Sequence, residues 1–224
     1  MAPVIAIIGC DGSGKSTLAQ DLVATLAAER RIASCYLGLG SGAIGERIKG
    51  WPLIGPGIER ALAGKGRQTR TTGARIPGFV TAAVIYGFSL IRARRFRRML
   101  RLREQGVTVI TDRYPQTDVA GFYDGPGLSA AIAGSAAVAR LAARERALYD
   151  WMVAHRPTLV IRLTIDAETA HARKPEHDIE LLRRKVAATP LLTFGGAAIV
   201  DLDARAPYAQ VRQRALEAIR RVID

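Results

Sequence analysis

Apolar residues along this chain follow two rhythms. Short runs of aliphatic and β-branched residues read as buried strands, and longer stretches with an apolar residue every third or fourth position read as helices with one buried face. VIAIIG (4–9), ASCYLGL (33–39), VTVIT (107–111), TLVIRLTI (158–165) and AAIVDLD (197–203) are the five strand candidates. Helical spacing covers residues 17–29, 79–104, 128–155 and 208–223, with Gly106 closing the second of these. Asp166 is expected to cap a helix over AETAHARK, and Pro175 to open the next one at its first position. Strands that alternate with helices in this way predict a parallel sheet covered by helices on both faces. In such a sheet ligands bind at the carboxyl ends of the strands.

GCDGSGKS (9–16) follows the first strand and is continued by Thr17 at the start of the first helix. It matches G-x-x-x-x-G-K-[ST], and each position has a physical task. Gly9, Gly12 and Gly14 let consecutive N–H groups curl around a polyphosphate, with Asp11, Ser13 and Thr17 completing the nucleotide-binding set. Lys15 reaches the β- and γ-phosphates, the Ser16 hydroxyl ligates Mg²⁺, and the helix adds its positive N-terminal end. Strand, glycine loop and helix in that order are what ATP-Mg²⁺ binding requires.

The 224 residues suffice for one α/β domain spanning 1–224, without a Pro/Gly/Ser linker, a repeat or a low-complexity tract. Cys10 and Cys35 do not make a disulfide framework, the start shows no basic leader, and a cytoplasmic protein is expected. FVTAAVIYGFSLI (79–91) is 13 residues, short of the about 20 that span a bilayer, and is expected to be a buried helix. The net charge of +13 owes much to RARRFRRMLRLR (92–103) directly after it. Arginines so dense on one helix cannot all enter a pocket, so a solvated basic face is expected. Nucleic acid is not the expected partner, because no aromatic platform or recognition helix accompanies the charge. Peripheral contact with an anionic membrane and a homodimer stay open. A GTPase is disfavoured because the chain has no N-K-x-D tetrad.

Five motifs in order resemble the thymidylate kinase family of P-loop nucleoside monophosphate kinases: GCDGSGKST, GSGAIGERI (40–48), VITDRY (109–114), RPTLVIRLTIDAE (156–168) and IVDLDARAPYAQV (199–211). The resemblance implies a P-loop NTPase-type three-layer sandwich around a five-stranded parallel sheet, with ATP and Mg²⁺ as cofactors. It implies a small-molecule phosphate acceptor, with dTMP the first choice. Ser16 and Asp112 are a suitable oxygen pair for Mg²⁺, and Arg113 is well typed to fork onto an acceptor phosphate. Asp11 is similar to the family's carboxylate near the acceptor sugar, and Arg92 falls near its acceptor-phosphate arginine. Small P-loop kinases carry a lid after the fourth strand's helix, which here is residues 171–185. Gly12 and Ser13 offer no charge, so the catalytic cation is expected from this lid: Arg173 and Lys174 first, Arg183 and Arg184 behind them. The stretch Leu37-Gly38-Leu39-Gly40 stands where the family has Arg-Glu-Pro. A nucleoside, sugar or lipid-linked alcohol therefore stays open as acceptor, as does a non-catalytic ATP-binding protein.

Overall fold

Every residue of the first strand, β1 (Val4–Gly9), is buried, and the strand is paired on both edges. Its apolar run has no polar face because both of its sides meet helices. The computed structural model describes residues 1–38, 75, 76, 78–122 and 124–223. After β1 come α1 (Lys15–Leu26), β2 (Ile32–Tyr36), α2 (Phe79–Glu104), β3 (Thr108–Asp112) and α3 (Ala136–Val153). Then follow β4 (Leu159–Thr164), α4 (Ala167–Arg173), α5 (Ile179–Ala188), a 3₁₀ turn at Thr189–Leu191, β5 (Ala198–Asp203) and α6 (Tyr208–Ile223). The five strands are all parallel, in the order β2-β3-β1-β4-β5.

Alternation along β1 divides the core in two. Ile5 and Ile7 join Leu18 and Leu22 of α1 and Ile219 of α6 on one face. Val4, Ala6 and Ile8 join Phe96 of α2 and Tyr149 and Met152 of α3 on the other. The chain leaves β1 for one side of the sheet and returns to the other side through β4. The loop after β1 therefore sits where strand order reverses, the position that leaves a crevice for ligand.

Element types agree with the sequence reading, and three details differ. The third helix starts at Ala136 rather than Leu128, with the Ser135 hydroxyl accepting from the Val138 N–H at 3.3 Å. Leu128, where the helix was expected to open, instead donates its N–H to Glu145 as part of the preceding loop. The second lid helix starts at Ile179, not Pro175, because the Asp178 carboxylate caps it through the Leu181 N–H at 2.8 Å. The 79–91 stretch is not wholly buried: Phe79, Val80, Leu90 and Ile91 are exposed. The glycine-rich stretch from Gly40, with Leu39 before it, lies outside the described residues.

The loop from Asp124 to Leu128 is tied down by a carboxylate. Glu145 of α3 is fully buried, accepting from Ser89 Oγ at 2.6 Å, the Gly127 N–H at 3.1 Å and the Leu128 N–H at 2.8 Å. Three donors converging in an apolar setting satisfy the buried charge and join α2, α3 and the loop. Glu145→Leu orphans all three donors and should cost about 3 kcal/mol or more of unfolding free energy. Glu145→Gln, which keeps an acceptor oxygen, should cost clearly less. Urea denaturation of the two variants checks the ranking; equal losses would refute it.

Candidate active site

The turn after β1 is built for close approach. Gly12 and Gly14 have φ of 86° and 85°, a region open to glycine. A Cβ on Gly12 would stand 2.6 Å from the Ala170 carbonyl oxygen, so helix α4 lies directly on the loop. Gly14 caps α1, and Lys15 is its first residue. Lys15 is buried, and its Nζ donates to the Cys10 carbonyl at 3.1 Å and lies 3.7 Å from Asp11. Burial pulls the Lys15 ammonium below its ordinary pKa, and Arg113 adds to this, while Asp11, Asp112 and Asp124 oppose the shift.

The parallel register sets Ile7 beside Asp112, so β3 ends level with the loop. Ser16 Oγ donates to Asp112 Oδ2 at 2.6 Å. Asp112 Oδ1 is buried without a hydrogen-bond partner among the described residues. A hydroxyl and a carboxylate with one oxygen to spare fit a hard divalent cation that draws its remaining ligands from phosphate and water. Among the described residues no group of three or more His, Cys, Asp or Glu could hold a metal by itself. His171 Nδ1 instead lies 2.9 Å from the His177 carbonyl oxygen.

Arg113, the residue after Asp112, takes φ of 74°, uncommon for a side chain with a Cβ. Its N–H is held by the Ile7 carbonyl at 3.0 Å, and its guanidinium reaches Asp11 at 3.3 Å and Asp124 at 3.7 Å. Burial would lower the Arg113 pKa, but Asp124, Tyr36 and both neighbouring aspartates raise it further. The opening beside it is lined by Lys15, Arg113, Gln116, Asp124, Leu192 and Phe194 among others. Arg92 is buried one layer below. It donates to Asp124 Oδ1 and to the Asp124 carbonyl, each at 2.5 Å, and to Tyr149 at 2.7 Å. It thus meets the opening only through Asp124.

The cations of the 171–185 stretch differ in their surroundings. Arg183 is exposed, paired with Glu180 at 2.5 Å and Glu168 at 3.0 Å, and Arg184 lies over the Phe122 ring. Arg173 donates to the Gly12 carbonyl at 3.4 Å and the Ala204 carbonyl at 2.9 Å, bridging the loop to the end of β5. Lys174 is exposed at the end of α4, and Thr17 on the first turn of α1. Lys185, which the sequence reading passed over, pairs with Asp11 Oδ2. The signal was present. Once Asp178 is taken as the cap, Leu182 and Lys185 are three apart on the inward face.

Asp11 consequently holds three cations: Lys185, Lys15 and Arg113. Burial would raise its carboxyl, but these neighbours outweigh burial and hold it well below the usual carboxylate range. A depressed carboxylate contributes its stability above its unfolded pKa, about 4, and loses it as pH falls through the lower folded value. Lys185→Ala should therefore cost about 1–3 kcal/mol at neutral pH. The gap between variant and parent should narrow on acidification as Asp11 protonates. Denaturation series from neutral pH to the acid limit test this; a gap independent of pH would contradict it.

The α/β architecture, a five-stranded parallel sheet between helices, is shared with a solved kinase structure. The solved structure of deoxyadenosine kinase from M. mycoides with bound dATP superposes with a TM-score of 0.54 at 14% identity, covering 97% of this chain and 99% of that one. No protein-family model matches the chain. It is 48% identical over 217 residues to the protein named uncharacterized ATP-binding protein YghS of Escherichia coli K12, covering 96% of this chain and 92% of the relative. It is 43% identical over 217 residues to YghR of the same strain, likewise named an uncharacterized ATP-binding protein, covering 96% and 86%. The chain belongs to the family of YghS and YghR.

Proposed function

We propose that this protein binds ATP with Mg²⁺ and transfers its γ-phosphoryl group to a small-molecule acceptor, with a nucleoside monophosphate such as dTMP the first choice. The observation that carries the reading is the meeting of Lys15 and Arg113 on one opening at the carboxyl ends of β1 and β3, with their chain neighbours Ser16 and Asp112 hydrogen-bonded to each other at the same strand ends. ATP binding also agrees with the names of the two E. coli relatives. Phosphoryl transfer asks a protein for positioning and charge neutralisation more than for covalent chemistry. The loop amides and Lys15 would hold the donor phosphates, and Ser16 and Asp112 would hold Mg²⁺, which neutralises charge on the β- and γ-oxygens. Lys185, Arg173 and Lys174 are the lid cations available to the transferring group.

A hydroxyl acceptor without a phosphate is the second reading, favoured by one feature. Both carboxylates beside Arg113, Asp124 on the opening and Asp11 on the glycine loop, already engage its guanidinium. An acceptor phosphate must displace at least one of them, whereas a nucleoside hydroxyl could use Asp124 as it stands.

ADP release coupled to a panel of nucleoside monophosphates, nucleosides, sugars and polyprenols tests the proposal and separates the two readings. Lys15→Ala should lower kcat on the order of 10²–10³-fold, the scale of one strong electrostatic donor. Its Tm should stay close to the parent's, because burial already disfavours the Lys15 charge. Wild-type turnover in this variant would end the kinase reading. Asp112→Asn should raise the Mg²⁺ requirement. Arg113→Ala should raise acceptor KM more than it lowers kcat for a phosphorylated acceptor, and an unchanged KM would favour the hydroxyl reading.

A cation that acts in the transition state lowers kcat without weakening ATP binding. Measured kcat and ATP affinity for Lys185→Ala, Arg173→Ala and Lys174→Ala would identify which lid residue does so. Retention of full kcat by all three would place the charge elsewhere.

A further inference from the structure

Helix α2 has 26 residues, a length of about 39 Å at 1.5 Å per residue. One face, including Arg92, Ala93, Phe96 and Met99, is buried against α3 and the sheet. The opposite face changes character halfway along. In its first half Phe79 (55%), Val80 (74%), Leu90 (44%) and Ile91 (40%) are exposed. In its second half Arg94, Arg97, Arg98 and Arg101 are exposed at the same helical spacing. Arg97 lies over the Trp151 ring at 5.2 Å, while Arg94, Arg98 and Arg101 make no salt bridge among the described residues. Ile132, 60% exposed, adds to the apolar end, since its carbonyl accepts from the Ile76 N–H three residues before α2.

We propose that this face of α2 docks on an anionic membrane surface, with Phe79, Val80, Leu90 and Ile91 entering the headgroup boundary and Arg94, Arg98 and Arg101 meeting lipid phosphates. The argument is one of chemical complementarity. Aromatic and aliphatic side chains next to unpaired guanidiniums match a leaflet, which offers apolar and anionic matter within a few ångströms of depth. The net charge of +13 strengthens the approach to such a surface. No helix among the described residues is long and apolar enough to cross a membrane, so the contact is peripheral.

Other occupants fit less well. A nucleic acid would use the arginines and leave the four apolar side chains without a partner. A second copy pairing parallel sets arginine against arginine, and pairing antiparallel buries guanidiniums on apolar side chains without counter-charge.

Vesicle flotation tests the proposal independently of phosphoryl transfer. The full chain should float with phosphatidylcholine vesicles containing phosphatidylglycerol, bind pure phosphatidylcholine at least tenfold more weakly, and release as salt rises. Replacing Arg94, Arg98 and Arg101 together by Gln should weaken binding on the order of 100-fold, while replacing the same three by Lys should retain it. The pair Phe79→Ser and Leu90→Ser should also weaken binding, with Tm unchanged because all these side chains are exposed. Three results would overturn the proposal: no flotation with anionic vesicles, capture of duplex DNA in place of vesicles, or a stable dimer that Leu90→Arg dissociates.

Discussion

An alternating line of charges runs through the molecule from the lid to the buried face of α2: Lys185, Asp11, Arg113, Asp124, Arg92. Each member comes from a different element, and each is largely withdrawn from water. Charges removed from water must be paired or they destabilise the fold by several kcal/mol apiece, on the order of 3–5 when a partner is lost. The line therefore does structural work in joining α5, the glycine loop, the end of β3, the loop before α3, and α2. Lys15 branches from it at Asp11 and makes the site richer in positive charge than its carboxylates can balance. A polyphosphate is the natural complement. Its oxygens would compete with Asp11 for Lys15, Lys185 and Arg113, so Asp11 acts as an internal anion that occupies those cations until a ligand claims them.

The line can exist only because the backbone brings its members within reach. Pairing of Ile7 with Asp112 levels β3 with the glycine loop, which puts Ser16 Oγ 2.6 Å from the Asp112 carboxylate and Arg113 beside Asp11. Arg113 holds a left-handed φ to achieve this, a conformation that costs a non-glycine residue about 1–2 kcal/mol. Its N–H bond to the Ile7 carbonyl and its two carboxylate partners offset that cost. The Ala170 carbonyl oxygen stands 2.6 Å from where a Cβ on Gly12 would go, so α4 rests on the loop backbone itself. Motion of α4 and α5 would then be felt at Asp11 through Lys185.

Fold and loop were largely legible in the sequence because both depend on local patterns. A buried β-branched run, glycines at fixed spacing and helical periodicity act over a few residues, and the bounds of α2 and α6 follow from them. Pro175 and residues 128–135 misled because capping by Asp178 and the pull of Glu145 on the Gly127 and Leu128 amides are contests between local preference and specific hydrogen bonds. Lys185 was missed for the same reason, since the register of α5 decides which of its three cations faces inward. Arg92 was singled out by its position, but its burial against Asp124 and Tyr149 depends on residues 32 and 57 positions away, beyond any local signal.

The arginines of α2 thus separate into two populations. Arg92 and Arg95 turn inward: the first holds Asp124, and the second donates to the Gly38 carbonyl at 2.7 Å and lies over the Tyr36 ring just past the end of β2. Arg94, Arg98 and Arg101 turn outward and have no carboxylate to balance them among the described residues. Inward arginines are explained by the groups they satisfy, and outward ones are not explained by folding at all. Unbalanced like charges on a single helix face repel one another and oppose the compact state. Their presence beside exposed Leu90 and Ile91 is thus best accounted for by a surface outside the molecule. Because the same rigid helix carries Arg92 on its other side, whatever docks on that face rests on the element that anchors Asp124 beside the opening.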